Sequence, residues 1–73
     1  MSKLSNISSR QVIRALEKLG FYVDHQTGSH IIMRRDDPRT TIPIPERSEM
    51  RKGTLRKIIK QAGLTVDEFL TLL

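Results

Sequence analysis

A short run near the middle of the chain, Thr40–Pro45, alternates isoleucine with proline and limits the folds that the chain can adopt. The alternation puts Ile42 and Ile44 on one face of an extended strand. Proline has no backbone N–H to donate to a neighbouring strand, so Pro43 and Pro45 fit an edge strand or a strand that leaves the sheet early. The run therefore predicts the edge of a small sheet with one apolar face.

Two further runs with strand character precede it, Phe21–Gln26 and His30–Arg35, joined at Thr27-Gly28. Gly28 can adopt the positive φ that a tight hairpin turn requires. The stretch Asp36-Asp37-Pro38-Arg39 has the composition of a second turn, which leads into the proline-containing strand. We therefore predict a three-stranded antiparallel sheet.

The length of the first hairpin loop decides which side chains face the core, because a one-residue shift exchanges the two faces of a strand. We prefer a three-residue loop, which puts four apolar residues on the core side: Phe21, Val23, Ile31 and Met33. The open face then carries His30, Ile32, Arg34, Tyr22 and Asp24. A strict two-residue turn would instead pair His25 with His30 and turn Ile32 inward.

Amphipathic runs on both sides of the strands predict helices. The first extends from Ile7 to Gly20, with Ser8 and Gln11 spaced as a capping box at its start. The second follows a basic connection, Glu46–Gly53, and carries an apolar stripe at helical spacing: Leu55, Ile58, Ile59 and Ala62.

A second capping box, formed by Thr65 and Glu68, predicts a short last helix that buries Phe69. The predicted fold class is α+β, with the order α-β-β-β-α, the helices on one face of the sheet and an extra C-terminal helix. At 73 residues the chain is expected to form a single domain, residues 1–73, with a thin core.

The absence of cysteine excludes disulfides, thiolate nucleophiles and cysteine-containing zinc sites. The first residues, Met1-Ser2-Lys3-Leu4-Ser5-Asn6, lack the apolar segment of a signal peptide. No stretch approaches the roughly 18 apolar residues of a membrane span. We therefore expect a cytoplasmic protein that does not bind membranes.

Positive charge is concentrated in the second half of the chain. Thirteen Lys and Arg against eight Asp and Glu give a formal net charge of +5. Nine of the basic residues lie between Arg34 and Lys60, where four acidic residues oppose them. Such a basic field is typical of nucleic-acid binding, although solvated helix faces give the same composition.

One histidine, His30, directly follows Gly28-Ser29 at the start of a predicted strand. Imidazole takes and returns a proton readily near neutral pH, so this residue is the candidate for chemistry on a polyanion. Ser29 does not form a hydrolase dyad with it, because adjacent strand residues point to opposite faces. A histidine at a hairpin is more often a structural or surface residue, and His25 with His30 does not complete a metal shell.

Three segments occur in an order that resembles the HicA family of toxins from bacterial type II toxin–antitoxin systems. They are Gly28-Ser29-His30, Thr41-Ile42-Pro43-Ile44-Pro45 and the stretch from Lys52 through Gly53-Thr54-Leu55 to Gly63-Leu64. The resemblance covers essentially the whole chain. The glycine-serine-histidine turn is a weak signal alone and becomes specific beside the other two segments.

The resemblance implies a fold like the double-stranded-RNA-binding domain and activity as an mRNA interferase without a cofactor or metal. It assigns the single catalytic histidine to His30, with Gly28 and Ser29 shaping the active-site turn. It also implies a HicB-type antitoxin as partner, which covers the catalytic surface, and a bacterial or archaeal cytoplasm. Many relatives carry a second histidine just after the proline-flanked strand, where this chain has Glu46-Arg47.

Such a ribonuclease uses the 2′-hydroxyl of RNA as nucleophile and leaves a 2′,3′-cyclic phosphate. His30 is the candidate for proton transfer, and Tyr22 and Asp24 could orient its imidazole. Candidates for phosphate binding are Arg34, Arg47, Lys52, Arg56 and Lys57. The acid for the leaving oxygen stays unassigned, and water is one alternative.

Two other functions are compatible with the same residues. A non-catalytic RNA-binding module of this fold would contact phosphates through basic residues at a helix start: Arg51, Lys52, Arg56 and Lys57. An interaction protein would instead pair its basic surface with an acidic partner. Affinity for RNA that falls steeply with salt favours the nucleic-acid functions.

Overall fold

The computed structural model describes residues 4–73, and Met1, Ser2 and Lys3 of the N-terminal segment considered above lie outside them. The first helix, α1, spans Ser9–Glu17. The predicted capping box at its start is confirmed: the Gln11 N–H donates to the Ser8 hydroxyl at 3.2 Å, and the Ser8 N–H donates to the Gln11 side chain at 2.9 Å. Both hydrogen bonds satisfy donors that a helix start otherwise leaves unpaired.

The end of α1 lies earlier than the predicted Gly20. The Gly20 N–H donates to the Glu17 carbonyl and the Phe21 N–H donates to the Leu16 carbonyl, at 3.0 and 3.2 Å. Gly20 has a φ of 91°, as the left-handed residue of such a helix end requires. These bonds reverse the chain and deliver Phe21 to the core.

The sheet has three antiparallel strands, β1 (Tyr22–Thr27), β2 (His30–Asp36) and β3 (Arg39–Pro45), in the order β1-β2-β3. The predicted edge position of the proline-containing strand is confirmed, because among the described strands β3 pairs with β2 alone. Ile42 and Ile44 lie opposite Met33 and Ile31 on the helix-covered face. We call the opposite side of the sheet the open face.

The first hairpin differs from both expected registers. Its loop is the two residues Gly28 and Ser29, since Thr27 pairs with His30. Val23 lies opposite Met33, whereas His25 lies opposite Ile32. Asp24, between them, is therefore an extra residue that forms a β-bulge. The preferred three-residue loop is therefore wrong, because the bulge inside β1, and not the turn, supplies the register shift.

Two helices complete the chain, α2 (Lys52–Gln61) and α3 (Val66–Thr71). The connection before α2 is shorter than predicted, since the helix begins at Lys52 and includes Gly53. The second capping box is confirmed by reciprocal hydrogen bonds of Thr65 and Glu68 at 2.8 and 3.1 Å.

The core lies between the helices and the covered face of the sheet. Its largest fully buried side chains are Phe69, Leu16, Met33, Ile42, Ile44, Leu55 and Val12. Val23, expected on the core side, is 47% exposed. It belongs to an edge strand that the helices do not cover, and all six residues of β1 are exposed.

The architecture confirms the predicted fold class. An α-β-β-β-α-α order with an open three-stranded antiparallel sheet is the α+β arrangement of double-stranded-RNA-binding domains. In the described part of the chain, the helices are too short or too polar to cross a membrane.

Candidate active site and nucleic-acid interface

His30 is the first residue of β2 and directly follows the Gly28-Ser29 turn. Gly28 has a φ of 54°, which a residue without a side chain adopts at no steric cost. The Glu46 N–H donates to the Ser29 carbonyl at 2.7 Å and ties this turn to the end of β3. The turn therefore holds the exposed imidazole of His30 at one end of the central strand.

Two clefts meet at His30, between β3 and α2. The first has a volume of about 310 Å³ and is lined by His30, Pro45, Arg47, Met50, Arg51 and Thr54. The second, of about 300 Å³, is lined by His30, Pro43, Pro45, Thr54, Lys57, Ile58 and Gln61. Three residues line both: His30, Pro45 and Thr54. His30 thus lies where a bound chain can contact the sheet edge and the helix together.

The structure brings two of the predicted phosphate-binding residues into these clefts with His30. Arg47 lines the first cleft and Lys57 the second. Arg51, which the sequence indicates only for the binding-module alternative, also lines the first cleft. These three exposed cations line the clefts that His30 also lines, on the side of α2.

The other three candidates lie elsewhere. Lys52 lines a neighbouring cleft with Arg51, next to the start of α2. Arg34 is on the open face of β2, where its Nη1 lies 3.9 Å from an Asp24 oxygen. Arg56 is exposed on α2 and does not line the clefts around His30.

Sequence reasoning missed Thr54 and Gln61 as cleft residues. With Lys57 they recur at i, i+3 and i+7, which puts them on one side of α2. That spacing was a usable signal. The spacing identifies these residues as a site only if this side of α2 is known to lie along the proline-containing strand.

Hydrogen bonds to α1 hold the loop that carries Arg47. The Ser9 N–H and hydroxyl both donate to the Arg47 carbonyl at 3.0 Å, and the Arg47 N–H donates back to the Ser9 hydroxyl at 3.2 Å. Ser9 is buried, with 6% exposure. Because removing one partner of a buried hydrogen bond leaves the other unsatisfied at a large cost, these bonds restrain the backbone at Arg47.

Tyr22 and Asp24 do not orient His30, and that prediction was wrong. The Asp24 carboxylate instead accepts from His25 Nδ1 at 2.7 Å, and the Tyr22 hydroxyl donates to Asp36 at 3.1 Å. The bulge causes the first difference, because it puts the imidazole of His25 beside the carboxylate.

The hydrogen bond to Asp36 raises the pKa of Tyr22 above its ordinary value of 10.0, because the bond stabilises the protonated phenol. Its contribution to stability is therefore present below pH 10.0 and is lost as the pH rises through the folded-state pKa. The chain has one Tyr and no Trp, so phenolate absorbance reports this residue alone. We expect Asp36→Asn to lower the titration midpoint; equal midpoints in the two proteins would contradict the assignment.

Acidic side chains and histidines are dispersed across the described chain. Within residues 4–73, no three His, Asp or Glu side chains are grouped as metal ligands. The residues that line the clefts at His30 offer imidazole proton transfer beside fixed positive charge.

Comparison with known proteins finds a matching family. The family model for the HicA toxin of bacterial toxin-antitoxin systems matches residues 9–64, a range that includes His30 and every residue lining its two clefts. No curated protein matches the chain. Because the family match spans well over half of the 73 residues, the chain belongs to the HicA toxin family.

Proposed function

We propose that this toxin is a metal-independent endoribonuclease that cleaves mRNA, with His30 as the base that activates the 2′-hydroxyl. One observation carries the proposal: the exposed imidazole of His30 shares its clefts with Arg47, Arg51 and Lys57. RNA provides the nucleophile itself, so the protein must supply proton transfer and stabilise the charge on the phosphate.

The phosphate is held by the cations on the α2 side of the imidazole. Arg47 and Arg51 line one cleft and Lys57 the other, so a strand that follows both clefts meets cations in each of them. Arg34, Lys52 and Arg56 extend the positive surface beyond the clefts and contact more distant phosphates. Such contacts position the chain without reading its sequence.

The antitoxin acts at the same place. Membership of the HicA family implies a cognate antitoxin partner. We propose that a HicB-type antitoxin inhibits the toxin by covering the His30 clefts, in the cytoplasm where mRNA is found. An acidic segment suits these clefts because their three cations line them without a carboxylate.

The test uses the purified chain and an RNA containing its mapped cleavage position, compared with the same RNA carrying a 2′-O-methyl group there. We expect cleavage of the unmodified RNA in the presence of a metal chelator, with 2′,3′-cyclic phosphate and 5′-hydroxyl ends. The methylated RNA should bind and stay intact, because its 2′-oxygen has no proton to lose. Products with 3′-hydroxyl ends would contradict the mechanism.

A second function is favoured by a separate observation, the exposed basic residues in the first turns of α2. Arg51, Lys52, Arg56 and Lys57 are all exposed there, as a non-catalytic RNA-binding module would require. Such a module predicts affinity for RNA without cleavage. The 2′-O-methyl comparison separates the two functions, because a binding module treats both RNAs alike.

A further inference from the structure

The bulge in β1 brings a second histidine onto the face that carries His30. Uninterrupted pairing from Val23 and Met33 would have set His25 opposite Ile31, on the helix-covered face. The extra residue sets it opposite Ile32 instead, on the open face with His30. Bulges re-aim side chains in this way and are frequent next to active sites.

The two histidines are diagonal neighbours across β1 and β2. Beyond the bulge the pairing is regular, with His25 opposite Ile32 and Thr27 opposite His30. Diagonal neighbours on one face have Cα atoms about 7–8 Å apart, within reach of ring side chains. Both side chains are exposed, as two rings must be if one phosphodiester group is to lie between them.

The ring of His25 is held by Asp24, which the same bulge supplies. His25 Nδ1 lies 2.7 Å from one Asp24 oxygen, and Arg34 Nη1 lies 3.9 Å from the other. An ionised carboxylate only accepts hydrogen bonds, so Nδ1 carries the hydrogen. The side chain of His25 is 53% exposed, and its Nε2 is the ring nitrogen left for a substrate.

We propose that His25 is the general acid of the RNA cleavage, an inference that rests on the proposed function. His30 takes the proton of the 2′-hydroxyl while the 2′-oxygen forms its bond to phosphorus. The bond from phosphorus to the 5′-oxygen breaks, and His25 Nε2 gives its proton to that oxygen. The products are a 2′,3′-cyclic phosphate and a 5′-hydroxyl, and exchange with water restores both histidines.

The placement of the two rings fits the geometry of phosphoryl transfer. Attacking and leaving oxygens lie roughly in line on opposite sides of phosphorus, so base and acid must flank the phosphate. A single imidazole serves one side of the phosphate, and the diagonal position of His25 supplies a second imidazole for the other. Two histidines then take part in the cleavage, where the sequence predicts one. His25 is the acid for the leaving oxygen, which the sequence leaves unassigned.

The test compares two RNAs that differ at the mapped cleavage position. One is ordinary RNA, and the other has sulfur in place of the leaving 5′-oxygen, so that the leaving group departs as a thiolate without a proton. We expect His25→Ala and His25→Gln to cleave ordinary RNA roughly 10²–10⁴ times more slowly than the native chain. Both should cleave the sulfur-containing RNA at nearly the native rate.

The controls separate this inference from the proposed function. His30→Ala should be slow on both RNAs, because the base is needed for either leaving group, and Thr27→Ala on the same face should match the native chain. Native-rate cleavage of ordinary RNA by the His25 variants would overturn the inference and leave the nuclease intact, as would an equal loss on both RNAs. A native chain that cleaves neither RNA would overturn the proposed function, and the role of His25 with it.

Discussion

Replacing His30 with alanine is expected to abolish growth arrest in cells and to slow RNA cleavage in vitro by roughly 10²–10⁴. The exposed side chain lies outside the core, so the variant should fold like the native chain. Affinity for RNA should persist, because Arg47, Arg51 and Lys57 still line the clefts. The measurements are colony growth after controlled expression, integrity of total mRNA, and binding of 2′-O-methyl RNA.

Arg47→Ala is the matched comparison, since this residue shares a cleft with His30 and contributes charge without proton transfer. It should weaken RNA binding and make the affinity less dependent on salt. The slope of the logarithm of the binding constant against the logarithm of the salt concentration should fall in magnitude by about 0.7 for each phosphate of a single strand that the variant no longer neutralises. Growth arrest by both the native chain and His30→Ala would favour the RNA-binding module. Harmlessness of both, with the proteins folded, would remove the catalytic proposal first.

Truncating Phe69 to alanine is expected to cost roughly 3–5 kcal/mol of unfolding free energy. Phe69 is fully buried, at 0% exposure, and is the buried residue of the six-residue helix α3. A helix this short is not stable alone and depends on packing. Domains of this size have roughly 0.05–0.15 kcal/mol of stability per residue, so the variant should lose a large part of the total.

Urea unfolding followed by circular dichroism measures this effect. Leu73→Ala is the control, because the last residue is 46% exposed and its truncation should change stability by less than about 0.5 kcal/mol. A loss below about 1 kcal/mol for Phe69→Ala would mean that α3 does not contribute to the core as the structure shows. The family match ends at residue 64, before this helix begins, so the experiment also shows whether the matched region needs α3 for stability.

The starts of α1 and α3 and the edge strand were predictable because their causes are local. A serine or threonine three residues before a glutamine or glutamate satisfies the first N–H groups of its own helix, and both capping boxes formed as expected. Proline removes a donor from its own strand, and β3 is an edge strand. The glycine-serine-histidine turn and its position before the second strand follow from the same short-range chemistry.

The neighbours of His30 depended on packing between distant parts of the chain. Arg47 reaches its cleft through hydrogen bonds to Ser9, and Thr54 and Lys57 through the packing of α2 along β3. Sequence reasoning selected Arg47 and Lys57 by charge alone, and charge could not separate them from Arg34 or Arg56. Only packing distinguishes a cation beside the imidazole from one on a solvated face.

By itself the sequence determined the order of elements, the edge strand, both capped helices and the family to which the chain belongs. Each of these depends on short segments of residues that are close in the chain. Only the tertiary structure decided the register of the first hairpin. A bulge at Asp24 and a longer loop give the same periodicity in the sequence, so the pattern cannot distinguish them. That single extra residue moved His25 onto the open face and placed its ring beside the Asp24 carboxylate. Register depends on which strand pairs with which, a choice made by the whole fold.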